Sequence, residues 1–105
     1  MSKLSEVTDH NFESEVLRSK VPVLVDFFAE NCGPCRLLKP VLKALSESLG
    51  DTVKIVTVDV AANEALAHAY GIAAVLTLIV FKNCQQLHRM VGLKDLHYLR
   101  EALAV

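Results

Sequence analysis

Val21-Pro22-Val23-Leu24-Val25-Asp26-Phe27-Phe28-Ala29 runs directly into Glu30-Asn31-Cys32-Gly33-Pro34-Cys35, and a helical pattern begins at once behind it. The first of these segments is apolar at odd and even positions alike, which suits a strand buried on both faces in the middle of a covered sheet. From Pro34 to Leu49 apolar side chains recur at helical intervals: Leu37, Leu38, Val41, Leu42, Leu45 and Leu49. Gly50 stands where a C-terminal cap belongs. Pro40 falls inside that helix, where a proline is expected to kink the axis. A buried strand, a turn with two cysteines and a long helix therefore organise the chain.

The flanks extend the same alternation. Val7 to Ser19 carries Phe12, Val16 and Leu17 at helical spacing, with Thr8 or Asp9 as an N-cap. Val53 to Val58 is a β-branched run that predicts a second buried strand. Asn63 to Tyr70 is a short helix closed by Gly71. Leu76 to Lys82 and Gln86 to Val91 are two strands joined by a tight turn at Asn83-Cys84. Leu96, Leu99 and Leu103 form the stripe of a last helix. The order α-β-α-β-α-β-β-α predicts an α/β fold, a central sheet with helices on both faces. The two strands separated by the long helix should run parallel through a right-handed crossover. With 105 residues, no repeat and no linker-like tract, residues 1–105 are expected to form a single domain.

Composition narrows the function. Hydrophobic residues make up 52% and charged residues 22%, enough to bury a core. The formal net charge is -1, from 11 basic and 12 acidic residues spread along the chain. That balance removes the electrostatic case for nucleic acid or an anionic membrane surface as partner. The longest apolar run, Ala69 to Phe81, is too short to span a bilayer and is broken by Gly71 and Thr77. Met1-Ser2-Lys3-Leu4-Ser5-Glu6 carries charge where a secretory leader needs an apolar block, so a cytoplasmic location is expected. Three cysteines, an odd count, do not suit a secreted disulfide framework.

Chemistry concentrates in Cys32-Gly33-Pro34-Cys35. Cys32 falls at the helix N-cap, where free N–H groups and the helix dipole favour a thiolate and make it the nucleophile. Cys35, one turn inside, is close enough to form a disulfide with Cys32, and Pro34 fits a first turn. Reversible thiol–disulfide exchange is the functional expectation. A zinc site would need a second ligand pair, and Cys84 with His88 lies about 20 Å away at the far end of a strand. Two buried structural cysteines are the plainer alternative. His10, His68, His88 and His97 form no cluster and are expected at the surface, whereas Phe12, Phe27, Phe28 and Phe81 are core.

Val25-Asp26-Phe27-Phe28-Ala29-Glu30-Asn31-Cys32-Gly33-Pro34-Cys35-Arg36 closely resembles the active-site segment of the thioredoxin family. The resemblance continues through Pro40, Val58-Asp59, Tyr70-Gly71-Ile72, Thr77 to Asn83 and Val91-Gly92, nearly the whole chain. It implies a central mixed sheet flanked by four helices and a protein-disulfide reductase with a redox-active centre, an electron carrier of cell redox homeostasis. By resemblance Cys32 attacks a substrate disulfide and Cys35 resolves the mixed disulfide. It also implies no bound cofactor and no metal, with electrons from NADPH through a flavoprotein, thioredoxin reductase. Asp26 is buried whichever face it takes, which favours its protonated form. The matching family position makes it a proton acceptor for Cys35. The family often has a lysine on the neighbouring strand. Here Ile55 takes that place, and Lys54 alternates to the other face.

The chain departs from the family at three places. Asn31 stands where the family has tryptophan, Leu76 where it has a cis-proline, and Cys84 where it has the glycine of the hairpin turn. A cis peptide before a non-proline residue costs about 3 kcal/mol, so Val75-Leu76 is expected to be trans. The surface expected around the cysteines comprises Asn31, Gly33, Pro34, Val75, Leu76, Val91 and Gly92, an apolar groove for an extended disulfide substrate. The protein is expected to be a monomer, with Cys84 exposed and able to link two copies on oxidation. Two rival functions follow from the departures: a binding module with weak redox turnover, and metal or iron–sulfur binding by Cys32 and Cys35.

Overall fold

The computed structural model describes residues 4–105. The first three residues of the charged N-terminal segment lie outside them. Five strands form one sheet: β1 (Ser5–Glu6), β2 (Val23–Phe28), β3 (Lys54–Asp59), β4 (Thr77–Lys82) and β5 (Gln85–Val91), in spatial order β1-β3-β2-β4-β5. The sheet is mixed. β2 pairs with β3 in parallel, as the helical crossover requires, and antiparallel with β4, which returns to β5 as a hairpin. The two-residue edge strand β1, parallel to β3, carries too little apolar signal for sequence periodicity to find it.

Three α-helices, α1 (Gly33–Leu49), α2 (Glu64–Ala69) and α3 (Leu96–Ala102), and a π-helical turn at Glu13–Leu17 cover the sheet. Strand alternation divides the core in two. Leu24, Ile55, Leu78 and Val80 face Leu38, Leu42 and Leu45 of α1 and Leu99 of α3. Val23, Val25, Phe27, Val56 and Val58 pack with Phe12, Val16 and Phe81 on the opposite side. The long apolar helix pattern holds with one correction. Leu37 is 64% exposed, because the buried face of α1 runs through Cys35, Leu38, Leu42 and Leu45.

The expected first helix is shorter than its pattern. Only Glu13–Leu17 is helical, with Arg18 N–H donating back to Glu13 O at 2.9 Å. Ahead of it Asn11 Oδ1 accepts from Thr8 N–H at 2.7 Å, closing a turn that takes up the residues expected to be its first turn. The N-cap position is Phe12, not Thr8 or Asp9, and is without a side-chain cap; Thr8 instead caps the turn ahead of it, its Oγ1 accepting from His10 N–H at 3.3 Å. Asp9 Oδ1 instead accepts from Leu66 N–H in α2 at 3.2 Å, while Asn63 Oδ1 accepts from Asp9 N–H at 3.0 Å. A capping residue has thus been used by a helix more than fifty positions away, which local spacing does not reveal.

At the β4–β5 turn, Asn83 and Cys84 have φ of 54° and 68°. Two successive residues in the left-handed region are what a two-residue hairpin turn of the I′ kind needs. Cys84 is a free, exposed thiol at the tip.

Candidate active site

β2 ends at Phe28, and α1 begins at Gly33 with Cys32 as its N-cap. The N-cap backbone is extended (φ -126°, ψ 112°), so the short loop that leaves the C-terminal end of the central strand β2 turns into the helix here. Cys32 Sγ accepts the Cys35 backbone N–H at 3.2 Å, the hydrogen bond an N-cap side chain makes with the first turn. Pro34 occupies the first turn, where no intrahelical donor is lost. Cys32 and Cys35 are joined in a disulfide with their Cα atoms 5.2 Å apart, each about 7% exposed.

Asp26 sits in the middle of β2, opposite Thr57 of β3 and Leu78 of β4. It is 3% exposed, and its Oδ1 has no hydrogen-bond partner among the described residues. Burial pushes its pKa from 3.8 up to about 7, and the Lys39 ammonium offsets part of that rise. The neighbouring-strand position is Ile55, packed in the core, while Lys54 points away and bonds Glu15 O and Oε1 at 2.9 and 2.7 Å. The cation facing Asp26 therefore comes from the helix, not the strand. Sequence reasoning missed Lys39, although its i+4 spacing from Cys35 sets both on one side of α1. Asp26, Cys35 and Lys39 line a solvent-facing cavity of about 400 Å³.

The expected groove divides. Asn31, Gly33, Pro34, Val75 and Val91 are exposed and Gly92 is half-buried. Leu76 is not a groove side chain. It is 1% exposed and packs in the core cluster that holds Cys32 and Cys35. The peptide bond before it is cis, which corrects the trans expectation. The contacts that hold this loop are tertiary and invisible to a local cost: the buried leucyl side chain, and Gly92 N–H donating to Leu76 O at 3.0 Å. Gly92 has φ of 95°, a conformation closed to most side chains. Exposed Leu93 (46%) adds apolar surface next to Val91 and Gly92 that sequence reading did not include.

The four histidines are exposed, and Phe12, Phe27 and Phe81 are buried, while Phe28 is partly so. Among the described residues no group of three or more His, Cys, Asp and Glu side chains is placed to hold a metal ion. No helix among them is long and apolar enough to cross a membrane.

A dithiol that closes into a disulfide at a helix N-terminus, beside a buried carboxyl, defines a thiol–disulfide oxidoreductase. Comparison with known proteins agrees. The thioredoxin family profile matches residues 3–105. Thioredoxin 1 of Synechococcus elongatus is 45% identical over 92 residues, covering 88% of this chain and 86% of the relative. Thioredoxin of Rickettsia bellii is 43% identical over 97 residues, 92% of each chain. Thioredoxin 1 of a Nostoc species is 44% identical over 92 residues, 88% of this chain and 86% of the relative. The chain belongs to the thioredoxin family. It cycles between the Cys32/Cys35 dithiol and disulfide to reduce protein disulfides, and the binding-module and metal readings are not favoured. Family membership implies a reductase and disulfide-bearing proteins as partners in general, and no bound cofactor.

Proposed function

We propose that Cys32 is the attacking thiolate, Cys35 the resolving thiol and Asp26 the group that takes the Cys35 proton. The observation that carries the assignment is the position of Cys32 at the α1 N-cap, with its sulfur accepting the Cys35 N–H. A negative sulfur there gains from the free amides and the helix dipole. Its attack on a substrate disulfide forms a mixed disulfide and releases one substrate thiolate. Cys35 then gives its proton to Asp26 and attacks Cys32 Sγ. The Cys32–substrate bond breaks, the second substrate thiolate leaves, and two electrons have passed to the substrate.

Asn31, Gly33, Pro34, Val75, Val91 and Gly92 form the docking surface in this reading, with Leu76 contributing through its backbone. A short-chained, partly apolar rim suits an extended peptide held by main-chain hydrogen bonds. NADPH, through a flavoprotein thioredoxin reductase, restores the dithiol. Residues 1–105 act as one domain and a monomer in the cytoplasm, a reducing compartment that suits the free thiol of Cys84. On oxidation Cys84 links two copies. Non-reducing electrophoresis of wild type and Cys84→Ser checks that last point, with dimer expected only in wild type.

The main test is reduction of a model protein disulfide driven by NADPH and a thioredoxin reductase. Cys32→Ser should abolish turnover, and Cys35→Ser should accumulate a mixed disulfide on Cys32. Turnover in Cys32→Ser, or adduct formed on Cys35, would reverse the roles.

A further inference from the structure

We propose that Lys39 is a positioning residue of the exchange reaction: its ammonium, lining the same cavity as Asp26 and Cys35, favours the ionised Asp26 that receives the Cys35 proton. The inference rests on Asp26 being that acceptor. Asp26 lines a cavity whose other charged or titratable lining groups are Glu6 from β1, Glu30 from the β2–α1 loop, Asp59 from β3, and Cys35, Arg36 and Lys39 from α1. Thr57 is the uncharged neighbour across the strand. Three of those groups are carboxylates and Arg36 is a second cation, yet burial is what raises the Asp26 pKa, and Lys39 is the charge that offsets it. Ile55, the β3 position that the family often fills with lysine, supplies no charge of the opposite sign.

The helix makes up for this. Lys39 follows Cys35 by four residues, so the group that must lose a proton and the cation that favours its acceptor share one helical face. Lys39 is the cation whose field reaches Asp26 and favours its charged form. An exposed lysine acts through solvent, so its influence should weaken with salt. The closing step needs Asp26 ionised before Cys35 can be deprotonated, and without Lys39 that form becomes available only at higher pH.

The experiment is a pair of titrations on the full chain in wild type, Lys39→Gln and Lys39→Arg. The Asp26 side-chain carboxyl is followed by carbon NMR in the oxidised protein. The rate of mixed-disulfide resolution is followed by rapid mixing across the same pH range. In Lys39→Gln both midpoints should rise by about half a unit at low salt, with the difference shrinking at 1 M salt. Lys39→Arg should restore both. An unmoved NMR midpoint overturns the coupling itself. A moved NMR midpoint with an unmoved rate profile overturns the role in exchange, and locates the failure in Asp26 as proton acceptor.

Discussion

The backbone N–H of Cys35 points at the sulfur of Cys32 across 3.2 Å, so the first turn of α1 solvates the sulfur that leads the helix. Cys35 has no such donor among the described residues and sits one turn deeper, and Cys84 lies on the β4–β5 turn rather than at a helix N-terminus. In the reduced protein Cys32 should therefore react with iodoacetamide at neutral pH at least about tenfold faster than either other cysteine. Timed labelling with peptide mapping measures this, and faster labelling of Cys84 would count against the N-cap effect.

Asp26 makes stability depend on pH in a defined direction. Folding raises its pKa from 3.8 to about 7, so the folded state favours the protonated form. The burial penalty is absent below the unfolded value, grows between the two, and is complete above the folded one. Its upper bound is about 4 kcal/mol. Asp26→Asn should gain about 2 kcal/mol more in stability at pH 8 than at pH 5, while slowing exchange. Urea unfolding of the oxidised proteins at both pH values decides it. An equal change at both would mean that Asp26 does not titrate between them.

Leu76 is core, and its loss should show as such. Leu76→Ala removes a side chain that is 1% exposed and packed in the cluster of both active-site sulfurs. A loss of about 2–4 kcal/mol in urea unfolding is expected. A loss below about 1 kcal/mol would return this residue to the surface role first expected of it.

The hairpin tip offers a gain. Cys84 holds φ of 68° without being glycine. Cys84→Gly should stabilise the protein by about 0.5 kcal/mol, the relief at φ > 0 being partly offset by the freer unfolded chain. Cys84→Val, branched at Cβ, should destabilise it by about 1 kcal/mol or more. Thermal unfolding in reductant ranks the three, and Val matching Gly would remove conformational strain as the cause.

Much of this molecule is written in short-range pattern. The two-sided apolar run at Val23–Phe28, the period of Leu38, Leu42 and Leu45, and the placing of Cys32 and Cys35 at a strand-to-helix junction each depend on residues close in sequence. Local geometry gives them meaning, so the α/β order, the parallel β2–β3 pair and the redox centre are legible in the sequence alone. The burial of Asp26 was legible for the same reason. Only the tertiary structure decided that Lys39 faces Asp26 across a cavity, that Asp9 caps α2, that the Leu76 side chain turns inward and its preceding peptide is cis, and that Leu37 turns outward. Each of those joins groups from separate elements or selects one face among several. The energy that chooses them comes from packing and electrostatics between parts of the chain that meet only once it is folded.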